Sequence, residues 1–375
     1  MTPRERICAA MDLKPVDKIP LMCQMSIGHM QIQLKCSPAD FWHDVDVFAG
    51  GLAAMREAYD FDGILVSLHG HDPHWKEHIR SRRIAAEFEE IVWKNGDTTQ
   101  HVFDDLPRHI PSRAPDTVLL SEFDLQSLPT VLTYIPVSQG LHFHIDQNHP
   151  YDIFHILKKK VGTSYSLHGE ITSPFDYYLD LFGYENGLLG LIEEPEKAHA
   201  ILAHFTKLIA SCAEGMCDTG IDAVKLSSPF AGSTFISPEF YGTFVLPYER
   251  ALARAVRAKG IAIYTHTCGS INDRLELMFD AEVNGIECLD PYPLGDVELQ
   301  DAFTRIGKKG FIKGNIDSVN ILLNGTANEV LEDARLRIEI GKKNGGFILS
   351  TACSIAPRVD RNHIQLLRTA VDRWG

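Results

Sequence analysis

Three residues of this chain could hold one metal ion: His266, Cys268 and Cys353. His266 and Cys268 stand two apart, and alternate residues of a strand point the same way. They follow an apolar run at residues 260–264 and precede Gly269, which places them in a turn at a strand end. Cys353 follows a second such run, at residues 346–350, much later in the chain. If both runs are strands of one barrel, their ends converge on one face. One imidazole and two thiolates suit zinc, and three protein ligands leave a position open for substrate. Taken alone, His-x-Cys is a weak motif and fits better a buried Cys beside a hydrogen-bonded His.

Other residues sit at neighbouring strand ends. Glu287 is a candidate fourth, displaceable oxygen ligand, and Asp290 a candidate catalytic carboxylate; both could instead cap the following loop or helix. His168 and Glu170 repeat the two-apart spacing. They could act as general acid and base or as partners of the metal ligands, and a structural hydrogen-bonding role fits as well. Met25, His69, Ser228, Tyr264 and Asn315 are candidate substrate-binding residues, giving a neutral to polar pocket. His69 and His71 form a further pair that loop position would allow to bind a second metal. His142 and His144 lie in an alternating segment and read as sheet surface. Cys212 and Cys217 fall on a helical stretch. Cys288 alternates with Glu287 and is expected to point away from it.

The elements that must position these groups recur in βα units. Strand candidates lie near residue 19 and at 63–66, 163–167, 220–226, 260–264, 285–289, 310–313 and 346–350. Amphipathic helices follow at about 238–259, 271–282, after Thr326 and at 361–374. Repeated βα units imply a parallel sheet, and eight strands predict an α/β fold, a (β/α)8 TIM barrel. The whole chain, 1–375, reads as one such domain with an N-terminal helical extension at 2–13. Residues 71–160 break the rhythm. Asn95-Gly96 between alternating runs predicts a hairpin, so this stretch is expected to be a hairpin-containing insertion after strand 2, at the rim of the site.

Bulk properties exclude other classes. The chain has 375 residues and a net charge of −14, and nucleic acid as a partner needs a basic face. No run approaches a membrane span, and the charged N-terminal stretch makes the cytoplasm the expected location. Eight cysteines scattered over this length read as thiols or metal ligands, not a disulfide framework.

Several segments carry a family resemblance: MTPRERICAAMDLKPVDKIP, GIDAVKLSSPFAGSTFISPEFYGTFVLPYE, YTHTCGSINDRLELM, GNIDSVNILLNGTANEV and TACSIAPRVDRNHIQLL. Together they span nearly the whole chain. The chain resembles the uroporphyrinogen decarboxylase superfamily, and within it the zinc-dependent corrinoid (cobamide) methyltransferases. The His-x-Cys-Gly element plus the late Cys belongs to that branch, and the resemblance implies zinc on His266, Cys268 and Cys353. It also implies a (β/α)8 barrel and a cobalamin carried by a separate corrinoid protein. Consistent with a separate carrier, the chain has no Asp-x-His-x-x-Gly cobalt-ligand motif. The decarboxylases carry an arginine-rich stretch after the first strand, whereas this chain reads LMCQMSIGHMQIQL there. Without those cations a polycarboxylate is poorly held, which argues against a metal-free, decarboxylase-like lyase.

Two mechanisms remain. Zinc could bind a thiol of the coenzyme M kind as acceptor of a methyl group from cobalt. Alternatively it could polarise a methyl ether whose methyl passes to cobalt. An anionic thiol would need Arg or Lys at the strand ends, where only Lys313 is found. The sequence therefore leans to an O-demethylase component acting on a small-molecule methyl donor.

Overall fold

Short apolar runs, flanked by turn residues, form the strands of this protein. The computed structural model describes residues 1–114 and 118–375. Strand β1 (Gly63–Val66) is followed by an antiparallel sheet of β2 (Ile79–Ile84), β3 (Phe88–Trp93), β4 (Thr98–Val102) and β5 (Arg108–Ile110). A hairpin of β6 (Tyr134–Val137) and β7 (Leu141–His144) comes next. The later strands are β8 (Ser166–Thr172), β9 (Ala223–Ser227), β10 (Ala262–Thr267), β11 (Gly285–Cys288), β12 (Phe311–Ile316) and β13 (Phe347–Thr351). β1 and β8 to β13 form one parallel sheet in chain order. Helices flank it, and β1, β11, β12 and β13 are buried along their whole length, as a parallel sheet covered on both faces requires.

The expected closed eight-stranded barrel is not what forms. The sheet has seven strands among the described residues, and it is curled. The segment expected as the first strand makes only isolated bridges, Leu21 to Leu349 and Met25 to Ile355. Pro20 has no N–H to donate to a ladder. On one side Leu349 N donates to Pro20 O at 2.9 Å and Met22 N to Leu349 O at 3.0 Å. On the other, Asp62 N donates to Leu21 O at 2.8 Å, and the Asp62 carboxylate accepts from Leu21 N at 2.7 Å. Residues 20–25 thus bridge both edges of the curl without forming a strand.

Two boundary shifts matter for the site. The strand expected at 163–167 runs instead over Ser166–Thr172, so His168 and Glu170 lie within it. Strand β10 extends to Thr267, which takes Tyr264 into its interior. The helix expected at 238–259 is two, Pro238–Phe244 and Leu246–Ala258, because Pro247 removes a backbone donor. The N-terminal helix Pro3–Met11 carries a capping box of Thr2 and Glu5, and Ala327–Asn344 one of Thr326 and Glu329. The Asn95-Gly96 turn joins β3 to β4, with Gly96 at φ 97°. No helix among the described residues is long and apolar enough to cross a membrane.

Candidate metal centre

The three sequence-predicted donors meet at the ends of β10 and β13. His266 Nε2 lies 3.3 Å from Cys268 Sγ, and Cys268 Sγ lies 3.8 Å from Cys353 Sγ. All three donor atoms fall within 4.8 Å of one another. Tetrahedral zinc with bonds of about 2.3 Å to sulfur and about 2.0 Å to nitrogen holds its ligand atoms roughly 3.5–3.8 Å apart. Spacing and donor chemistry therefore both fit zinc. Among the described residues no second such group of His, Cys, Asp or Glu gathers. Gly269 lets the turn close at φ 75°, and Gly232 packs so tightly that a Cβ there would fall 2.8 Å from the Cys268 carbonyl oxygen.

Parallel register builds the surroundings of His266. It sets His266 beside Glu287 and Glu287 beside Lys313 on adjacent strands. His266 Nδ1 lies 3.0 Å from Glu287 Oε2, and Lys313 Nζ donates to Glu287 Oε1. Lys225 Nζ lies 3.4 Å from both Glu287 Oε2 and Glu170 Oε1, and donates to Gln24 Oε1. Glu287, Lys225 and Lys313 are buried, and buried charges persist only when paired.

Proton affinities follow from these contacts. Burial raises the Glu287 pKa, but Lys313, then Lys225, and the bond to His266 outweigh it and hold the carboxyl well below its usual range. Burial lowers the Lys225 pKa, while Glu170 and Glu287 carry it above the usual value. His266 is pushed down by burial and Lys225, yet bonds to Cys353 and Glu287 bring it above its usual value. Hydrogen bonds from Cys288 and Cys353 hold the Cys268 thiol well below its normal range, and donating to Cys268 pushes Cys353 up. With Nδ1 engaged by Glu287, His266 keeps Nε2 for the sulfur side.

The remaining candidates separate by position. A cavity of about 710 Å³ opens at this centre, and Met25, Glu170, His266, Cys268 and Cys353 all line it. Residues Asp105, Leu106 and 135–138 also border it. Glu287 does not join the donor cluster; its oxygens are taken by His266, Lys313 and Lys225, so it holds the His266 imidazole. His168 and Tyr264 are not at strand ends. They lie deep in the sheet, bonded to each other at 3.0 Å and, through His168, to Ser166 at 3.1 Å. Asn315 is equally buried, donating to Leu289 O and accepting from Arg337. Ser228 is buried behind the wall, its N–H on His266 O, and Ser227 lines the cavity in its place. Asp290 accepts from Gly269 N at 2.7 Å and so braces the metal turn.

His69 faces away from this centre, with Nδ1 on Pro150 O. His71 joins no metal group. It lines a second cavity of about 680 Å³ together with Trp75, Trp93, His142 and His144; the last two are the exposed positions of β7, sheet surface as expected, and border that cavity. Cys212 packs near His69, and Cys217 is buried. Cys288 also departs from expectation. Its φ of 88°, and 56° at Leu289, break strand alternation, so its thiol reaches Asp290 Oδ2 at 3.2 Å and Cys268. Sequence reading missed Lys225 as part of the site and placed Lys313 at the rim. The available signal was a lysine inside a buried apolar strand, which needs a carboxylate partner.

Comparison with known proteins places this architecture. The model of the uroporphyrinogen decarboxylase (URO-D) family matches residues 142–374. The chain belongs to the URO-D family. Its full-length relatives lie on the methylcobamide methyltransferase branch. It is similar to a methylcobamide:CoM methyltransferase MtbA of Methanosarcina acetivorans, 25% identical over 367 residues, which covers 97% of this chain and 96% of that protein. A methylated-thiol–coenzyme M methyltransferase of Methanosarcina mazei is 30% identical over 186 residues, covering 50% of this chain and 47% of that protein. A solved methyltransferase from Methanosarcina mazei shares the fold, with a TM-score of 0.73, 19% identity and coverage of 100% of this chain and 99% of that one.

Proposed function

We propose that this protein moves a methyl group between a small substrate, held at a zinc ion on His266, Cys268 and Cys353, and the cobalt of a separate corrinoid protein. The gathering of one imidazole and two thiols at the floor of an open cavity carries this reading. Zinc bound there would supply Lewis acidity, favouring the thiolate of a bound thiol or drawing charge from a leaving oxygen. The chain's own residues prepare the site. Glu287 fixes the His266 ring, and Lys313 and Lys225 keep Glu287 ionised. The Gly269–Asp290 bond holds the Cys268 turn. Asp105, Leu106 and residues 135–137 of β6 line the same cavity, which the corrinoid must reach.

The activity of the full-length relatives favours a thiol as methyl acceptor over the methyl ether that the sequence pointed to. The ether remains the second reading because, among the described residues, no Lys or Arg lines the cavity. Purified protein is to be given methylcobalamin with thiols, and separately cob(I)alamin with aryl methyl ethers, following the cobalt–methyl absorbance. Thiol-dependent demethylation of methylcobalamin is expected. Cys353→Ser and His266→Ala are expected to lose bound zinc and transfer together. Transfer that survives loss of the metal would contradict the zinc reading.

A further inference from the structure

The cavity above the metal centre carries an unusual charge balance. Four carboxyl side chains line it, Asp105, Glu170, Asp176 and Asp180, and among the described residues no Lys or Arg does. Lys225, fully buried, is already shared between Glu170 and Glu287, and Arg358, next to the lining residue Pro357, is paired with Asp104. Lys313 is likewise bound to Glu287. A sulfonate or carboxylate entering the cavity would therefore meet no free positive charge, although strong anion recognition needs Arg, Lys or a cluster of N–H donors.

The rest of the wall favours neutral matter. Tyr184, Phe230 and Phe235 form an aromatic cluster with ring centroids 4.8–6.0 Å apart, and all three line the cavity. Asp180 accepts from Tyr134 OH at 3.0 Å and from His142 at 2.9 Å. Asp176, hydrogen-bonded to Ser173, is buried, and burial pushes its carboxyl up to about 8. It therefore carries less negative charge at neutral pH than an ordinary carboxylate. A zinc ion with two thiolates is electrically neutral, so a bound thiolate already brings one negative charge. An anionic tail would add a second beside Asp105 and Asp180.

We infer that the site takes a substrate whose non-reacting end is uncharged or cationic, and that the wall facing the metal discriminates against sulfonates and carboxylates. This rests on the reading of the cavity as the methyl-transfer site, and it sets the protein apart from an enzyme for coenzyme M, a thiol with a sulfonate tail. Discrimination arises from repulsion and from the missing cation together.

The test holds the nucleophile fixed and varies the tail. Zinc-loaded full-length protein is given mercaptoethanol, cysteamine or mercaptoethanesulfonate. Transfer from methylcobalamin is measured as kcat/KM, divided by each thiol's uncatalysed rate, and binding by calorimetry. Mercaptoethanol and cysteamine are expected to exceed the sulfonate by at least roughly tenfold, the order of one like-charge contact near a protein surface. Asp180→Asn is expected to narrow that ratio, which a merely structural role of Asp180 would leave unmoved. A sulfonate that binds and reacts as well as mercaptoethanol overturns the inference. If no thiol is methylated, the thiol-acceptor reading fails, and calorimetric affinities alone decide the charge preference. Equal or tighter binding of the sulfonate, or no binding by any of the three, then overturns it.

Discussion

Glu287 meets three partners at once: the imidazole of His266 and the ammonium groups of Lys313 and Lys225. Its negative charge makes His266 a better donor to metal and fixes which ring nitrogen carries the proton. Glu287→Gln keeps the shape and removes the charge. It is expected to lower zinc affinity by about 10–100-fold, the usual cost of losing such a partner, measured by competition with a chromophoric chelator. The variant also leaves two buried lysines short of a counter-charge, which costs about 3–5 kcal/mol where a buried pair is broken. Unchanged zinc affinity would show that Glu287 serves the lysines alone.

At the scale of elements, the curl of the sheet is held by Asp62 just before β1. Its carboxylate accepts from Leu21 N and from the guanidinium groups of Arg6 and Arg368, at 2.7, 2.7 and 3.0 Å. It thereby ties the N-terminal helix, the bridging segment 20–25 and the C-terminal helix Arg361–Trp374 to one point. Asp62→Ala is expected to destabilise the fold by about 3 kcal/mol, read as a lower urea midpoint with an unchanged slope. A loss below about 0.5 kcal/mol would place the closure in the apolar packing instead.

The whole molecule stores proton-linked energy in its buried groups. Burial pushes His69, His101 and His168 down to about 4 and His71 to about 3. Each is neutral in the fold and charged in the unfolded chain below about pH 6.5. The stability they support is present above that pH and lost as pH falls through about 4. Asp176 and Glu249 run the other way, raised by burial to about 8 and about 7, and gain stability as pH falls. At pH 5 the four imidazoles outnumber the two carboxyls, so the unfolded chain binds about two more protons. From these six groups stability is then expected to fall by about 2 kcal/mol between about pH 6 and pH 5. Urea titrations followed by circular dichroism check this; a flat profile would contradict it.

Residue types and spacings singled out His266, Cys268 and Cys353 as candidate metal donors, and the family resemblance set them above a buried Cys beside a hydrogen-bonded His. Types and spacings also determined the parallel βα rhythm, because strand periodicity and glycine turns are local properties of a chain. The hairpin at Asn95-Gly96 was legible for the same reason. Only the tertiary structure decided which strand ends face the cavity. A shift of β8 by a few residues buried His168, and the longer β10 buried Tyr264, since strand boundaries depend on pairing partners that sequence windows do not contain. The lysines that hold Glu287 are likewise set by register between strands far apart in the chain. The left-handed backbone at Cys288 overrode the alternation that pointed its thiol elsewhere. The candidate zinc ligands could be read from one strand end and one distant cysteine, whereas the charge of the wall above them required every element of the curl to be in place.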